Sequence, residues 1–210
     1  MCGKAVGRRC VSERESDPGV GMSEQPIITA TIELALGVNV GSLIDFETTG
    51  VPGKHPEHEI VTLGSLVRDK LHIVQRKSRN KEPFYSEVRR IVRELPRPIY
   101  AYNTDFEKSI INVELGISAK DSEFVDLMKP WKEKASRSGI KWPKLEELIS
   151  EPEDYFREKK ITGRDVPVLW KEYIETGDDN LLDRIMSHCL SDMLREMVLL
   201  VRYIPRALEG

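Results

Sequence analysis

Ser42-Leu43-Ile44-Asp45-Phe46-Glu47-Thr48-Thr49-Gly50 is the stretch on which the fold of this chain turns. Its apolar residues, stopped by Thr49-Gly50-Val51-Pro52-Gly53, predict a strand that runs into a loop. Alternate residues of a strand leave the same face, so Asp45 and Glu47 project together from an otherwise apolar element. Two adjacent carboxylates repel each other and lose hydration on burial, a cost met by basic partners, protonation or a bound cation. The ordinary alternative is that one of them ends the strand in solvent or caps the next turn.

Outward from this strand, Glu59–Val67 and Lys70–Arg76, separated by Arg68-Asp69, read as two more strands of an antiparallel meander. Phe84, Val88, Ile91, Val92 and Leu95 fall at helical spacing between Pro83 and the stop at Pro96 and Pro98. Ile99–Tyr102 is a short strand, Asp105–Leu115 a helix ended by Gly116, and Glu123–Asp126 another short strand. Helices follow at Leu145–Ile149, Pro167–Ile174 and about Asp178 to Tyr203. The order βββαβαβα predicts an α/β fold, a mixed five-stranded sheet with its first three strands antiparallel, flanked by helices. Ile27–Val38 fits helix and strand templates equally.

The 210 residues suit one domain at 42–203, after a disordered tail or misplaced start at 1–25 and a lead-in at 26–41, with a C-terminal tail at 204–210. Met22 marks the alternative start. Thirty-two Lys and Arg against 35 Asp and Glu give a charge of −3, which excludes a basic coat but leaves room for local basic patches. Neither a membrane span nor a signal-peptide core is visible. Cys2, Cys10 and Cys189 have no zinc-site spacing and leave one thiol over, which suits a reducing, cytoplasmic setting.

Two further places carry chemistry. In Tyr102-Asn103-Thr104-Asp105-Phe106-Glu107, Asn103 suits a helix N-cap and the acids favour the helix dipole, while Glu107, one turn in, is placed to face the strand ends. In the final helix Leu182, Ile185, Met186, Cys189, Leu190, Met193, Met197 and Leu200 define an apolar arc. His188 and Asp192 lie at its border one turn apart, either as a cleft-lining pair or as a surface pair.

Asp45-Phe46-Glu47-Thr48-Thr49-Gly50, Asn103-x-x-Phe106-Glu107 and His188-x-x-x-Asp192 resemble, in order, the three motifs of the DEDD exonuclease superfamily, which has a ribonuclease H-like fold. The resemblance spans about residues 42 to 202, and Val125-Asp126-Leu127-Met128 resembles the short strand after the second motif. It implies a metal-dependent nuclease, a 3′→5′ exonuclease on single-stranded DNA or RNA. Asp45, Glu47, Glu107 and Asp192 would hold two Mg²⁺ or Mn²⁺ ions and His188 would be the general base. Two departures are visible. The family's second motif usually carries Asp where this chain has Glu107, with Asp105 in reserve, and His188 stands four residues before Asp192, the spacing of tyrosine-type members. Such departures point to a less-studied branch of ribonuclease H-like nucleases. They also keep open a catalytically impaired nucleic-acid-binding module and, on the same fold, a ribonuclease H-type endonuclease.

The remaining candidates have plainer expectations. Trp131, Trp142 and Trp170 pack helical segments rather than stack bases, and Lys129, Lys132, Lys134, Arg137, Lys141 and Lys144 form a solvated helix face. His55 and His58, beside Glu57 and Glu59, belong to an exposed loop.

Overall fold

A computed structural model of the chain describes residues 26–33, 41–51, 58–149 and 161–208; the 1–25 tail with Met22, and His55 and Glu57, lie outside the described residues. The strands are β1 (Ile27–Glu33), β2 (Ser42–Thr48), β3 (Ile60–Val67), β4 (Lys70–Arg76), β5 (Ile99–Ala101) and β6 (Phe124–Asp126), in spatial order β1-β4-β3-β2-β5-β6. β2, β3 and β4 form the expected antiparallel meander, and β5 and β6 join in parallel on the other side of β2. The mixed α/β architecture is as expected, but the sheet has six strands among the described residues, not five. The extra one is β1, paired antiparallel with β4 from Ile27–Arg76 to Glu33–Lys70. Its seven residues alternate between half-buried and exposed, the pattern of an edge strand with one face on a core. The open edge of β4, remote in sequence, decides between templates that fit the segment equally.

The helices are α1 (Glu82–Glu94), α2 (Thr104–Val113), α3 (Lys129–Ser138), α4 (Leu145–Leu148), α5 (Val166–Thr176) and α6 (Asp179–Leu208). Pro83 sits in the first turn of α1, where its missing N–H costs nothing. α6 continues to Leu208 instead of stopping at Tyr203.

β2 separates two packed faces. Ile44 and Phe46 join Leu63 and Val74 under Phe84, Val88 and Val92 of α1 and Ile110 and Ile111 of α2. Leu43 packs on the opposite face with Cys189 and Met193 of α6. A third cluster ties Val61 to Val166, Leu169 and Trp170 of α5 and Leu182 and Ile185 of α6. Asp45 and Glu47 share the α6 face with Leu43 by strand alternation. Gly64, directly opposite Asp45 on β3, permits the close approach of α6, because a Cβ there would lie 2.7 Å from Met193 Cγ and 2.8 Å from Cys189 Sγ.

Two of the plainer expectations need correction. Trp170 is buried and Trp131 partly so, as packing residues, but Trp142 is half exposed. His58 is buried rather than exposed, with Nε2 2.8 Å from Glu114 Oε1 just beyond the end of α2. Its partner is 56 positions away in the chain, so local composition did not reveal it.

Candidate functional site

Asp45 and Glu47 leave β2 toward α6, as the strand period requires. Glu47 is buried, and Asp45 Oδ2 is a buried oxygen with no hydrogen-bond partner. The Cys189 thiol donates a hydrogen bond to the Asp45 carboxyl.

The turn between β5 and α2 positions the second acid. Asn103 occupies the N-cap position in the left-handed conformation, φ 77° and ψ 61°, which Asn tolerates better than most residues. Its side chain does not cap the helix, contrary to the sequence reading. Instead Lys132 Nζ donates to Asn103 Oδ1 at 3.0 Å, and the Asn103 N–H donates to Asp126 Oδ1 at 3.2 Å. This turn splits the two acids of the motif. Asp105 faces solvent, 3.1 Å from Lys108 and 3.7 Å from Lys132, and the Lys108 hydrogen bond holds its carboxyl below the usual range. Glu107 points inward, is 2% exposed, and leaves its Oε2 buried without a partner. Asp105 is therefore no substitute for Glu107.

α6 brings His188 and Asp192 to the same place from one helix face. His188 Nε2 lies 3.6 Å from Glu47 Oε1 and 3.7 Å from Asp192 Oδ2, close enough for charge interaction but too far for a good hydrogen bond. Arg195 donates to Asp192 Oδ1 at 2.5 Å. A Cβ on Gly163 would come 3.8 Å from His188 Nε2, so the chain just before α5 lies against the imidazole.

Electrostatics set this pocket apart from the rest of the molecule. Burial, with the Asp192 charge second, pushes the Asp45 carboxyl up to about 8. Burial also raises Glu47 and Glu107 well above the carboxylate range, each reinforced by Asp45. Asp192 is raised by burial against the opposing pull of His188 and Arg195. His188 moves the other way, because burial disfavours the imidazolium more than Asp192 favours it. The Cys189 thiol is pushed up by the same burial and stays protonated, a donor to Asp45 rather than a thiolate ligand.

Two groups of potential ligand atoms lie within 4.8 Å of one another among the described residues: Asp45 with Glu47 and Cys189, and Glu47 with His188 and Asp192. Asp45, Glu47, His188 and Asp192 are thus brought together, whereas Glu107 belongs to neither group and reaches them through its charge. Carboxylate oxygens suit a hard divalent cation, and the partnerless buried oxygens of Asp45 and Glu107 are atoms that such an ion would satisfy. Sequence reasoning missed Arg195 and Glu196. Glu196 is 3% exposed and stands one turn beyond Asp192 on α6. The four-residue interval from Asp192, between Met193 and Met197 of the apolar arc, was the clue that could have found it.

The match to a family model agrees with this architecture. The family model described as RNase_H superfamily matches residues 43–204. Among solved structures, the family B DNA polymerase from the hyperthermophilic archaeon Pyrobaculum calidifontis is similar at 17% identity and a TM-score of 0.47, over 82% of this chain and 25% of that chain. The present chain thus spans about a quarter of that polymerase's length. No curated protein matches. No helix of the described residues is long and apolar enough to cross a membrane.

Proposed function

Because the chain belongs to the ribonuclease H superfamily, we propose that it is a divalent-metal-dependent nuclease that shortens single-stranded DNA or RNA from the 3′ end. Support comes above all from one observation: Glu47 of β2 lies with Asp45 and with Asp192 of α6, Glu107 of α2 acts on both β2 acids through its charge, and one oxygen each of Asp45 and Glu107 is buried without a partner. Buried carboxylates kept without partners are costly, and a cation offsets that cost.

Asp45, Glu47, Glu107 and Asp192 would hold two Mg²⁺ or Mn²⁺ ions. Bound there, the ions would supply Lewis acidity for a water nucleophile and for the departing oxygen. His188 is the general base. Burial keeps its imidazole neutral near pH 7, so Nε2 can accept the proton of the attacking water. Its four-residue interval to Asp192 keeps both on one face of α6, and the 3.6 Å to Glu47 brings the base to the β2 carboxylates despite the departure from the histidine-type spacing. Arg195 orients the Asp192 carboxylate, and Cys189 fixes one side of Asp45. The longer Glu107 reaches inward from the first turn of α2, where Asp105 cannot. Polarity and the single-stranded substrate are carried over from the motif resemblance. The catalytic unit is proposed at 42–203, with β1 completing its sheet from the lead-in.

The test follows 5′-labelled single-stranded DNA and RNA with Mn²⁺ or EDTA, for the wild type, Asp45→Ala and Asp192→Ala. A ladder shortening from the 3′ end only with Mn²⁺, and absent in both variants, is expected. Intact substrate in every lane with folded protein would overturn the assignment, and cutting of circular substrates would replace the exonuclease with an endonuclease.

A further inference from the structure

The stretch from Lys129 to Lys144 supplies no acid or base to the site, yet it carries six cations against the single acid Glu133 in a chain of net charge −3. Two of the six are engaged. Lys132 Nζ donates to Asp126 Oδ2 at 2.8 Å and to Asn103 Oδ1 at 3.0 Å, and Lys144 Nζ lies 3.4 Å from Glu146 Oε1. Lys129, Lys134, Arg137 and Lys141 are exposed and have no carboxylate partner among the described residues. Lys134 and Arg137 stand one turn apart on α3, so they share a face.

Just past α3 stands an indole that packing does not explain. Gly139, left-handed at φ 64°, ends the helix, and the Ile140 N–H turns back to the Ala135 carbonyl at 3.1 Å. Ile140 and Trp142 then emerge 62% and 50% exposed, and Trp142 is the one exposed aromatic residue among those described. The segment is nonetheless fixed. Tyr102 Oη donates to the Pro143 carbonyl at 2.6 Å, the Lys144 N–H donates to Glu147 Oε2 at 2.9 Å, and Leu145 is buried in one cluster with Leu43, Cys189 and Met193. Tyr102 directly follows β5, and its own N–H donates to the Glu196 carboxyl of α6. These ties hold the exposed indole beside the face of the sheet that carries Asp45 and Glu47.

We propose that Trp142, with Arg137 and Lys141, holds an unpaired nucleic-acid strand beside the acids. A base stacks on the indole, and the phosphates flanking it meet the two cations. A ring already fixed in place loses little freedom on contact, and the unpartnered cations complement a polyanion that the net charge of the chain would repel. A duplex, whose bases are stacked on one another, would find the charges but not the ring. The platform presupposes the nuclease reading of the site and supplies a physical source for its single-strand preference.

Fluorescence anisotropy of the full chain with labelled oligothymidine and oligouridine of about 12 nucleotides, in EDTA so that nothing is cut, tests the platform. Trp142→Ala should bind about 5- to 150-fold more weakly, the range for one lost base stack, and Trp142→Phe should recover most of the loss. Replacing Arg137→Gln and Lys141→Gln together should lower the slope of log affinity against log salt by about 1.4, at about 0.7 per phosphate contact. Both sites are exposed, so the variants should melt like the wild type; if Trp142→Ala does not fold, the salt slope decides. The tighter of the two oligomers identifies DNA or RNA as the strand. Unchanged affinity in Trp142→Ala or a matching duplex held as tightly as the single strand would overturn the platform. So would a wild type that cuts with Mn²⁺ but holds neither strand in EDTA, or self-association that Trp142→Ala abolishes, which would give the patch to a second copy. A wild type that neither holds nor cuts either oligomer would instead overturn the nuclease reading itself.

Discussion

Ile44 and Phe46 leave β2 toward α1 and α2, while Leu43, Asp45 and Glu47 leave it toward α6, so one seven-residue strand feeds two opposite environments. On the first face Ile44 and Phe46 sit in a continuous hydrophobic cluster, and burial stabilises the contact. On the second, the helix brings His188, Asp192 and Glu196 down onto two acids that the sheet has already placed there. A protein that needed only to fold would fill both faces alike. The difference teaches that the α6 face carries a desolvation cost that the apolar face does not, a cost that a bound cation would offset.

Removing the base should have the largest effect. His188→Ala should slow cleavage by about 100- to 10,000-fold, the usual contribution of general acid–base catalysis, and leave the melting temperature in EDTA close to wild type. Equal loss of stability and rate would make His188 a packing residue. On the opposite face, Phe46→Ala should lower unfolding free energy by about 3–5 kcal/mol through the cavity it leaves. Denaturant melts should show the same loss with Mn²⁺ and with EDTA; a metal-dependent loss would erase the distinction between the faces. Gly64→Ala should cost about 1–3 kcal/mol by overpacking, because the new methyl meets Cys189 and Met193. It should also weaken Mn²⁺ binding by lifting α6 from Asp45. Unchanged affinity would mean that helix position does not govern the site.

The smallest effect concerns pH without metal. Asp45 has a folded value near 8 against an ordinary 3.8, so its stabilising contribution is complete below about pH 4 and is lost as pH rises through 8. Glu47, Glu107 and Glu196 shift in the same direction. His188, shifted below 6.5, acts oppositely but only beneath that value. Between pH 6.5 and 8 the protein in EDTA should therefore melt at progressively lower temperature, and Mn²⁺ should flatten the trend. A flat profile in EDTA would show that the acids are not desolvated.

The meander, the helix before β5 and the long final helix were legible because their apolar periodicity is set within each segment. The acids of β2 were legible for the same reason, as alternation alone puts Asp45 and Glu47 together. What escaped depended on contacts between distant segments. β1 needed the edge of β4, His58 needed Glu114, and the left-handed turn at Asn103 was engaged by Lys132 and Asp126 rather than by its own helix. Glu196 escaped for a different reason. It lies one turn past a recognised motif residue, but a lone glutamate on a charged helix reads as solvent-facing until the end of β5 closes over it.

Thermal melting of the full chain at pH 8 in millimolar MnCl₂ against EDTA tests most directly whether the α6 face of β2 is a cation site. At a hundred times the dissociation constant, binding to the folded state contributes about 2.7 kcal/mol, which for a domain of this size raises the melting temperature by about 5–10 °C. A rise of that order in the wild type, abolished by Asp45→Asn, is the predicted result; identical melting in MnCl₂ and EDTA would contradict it.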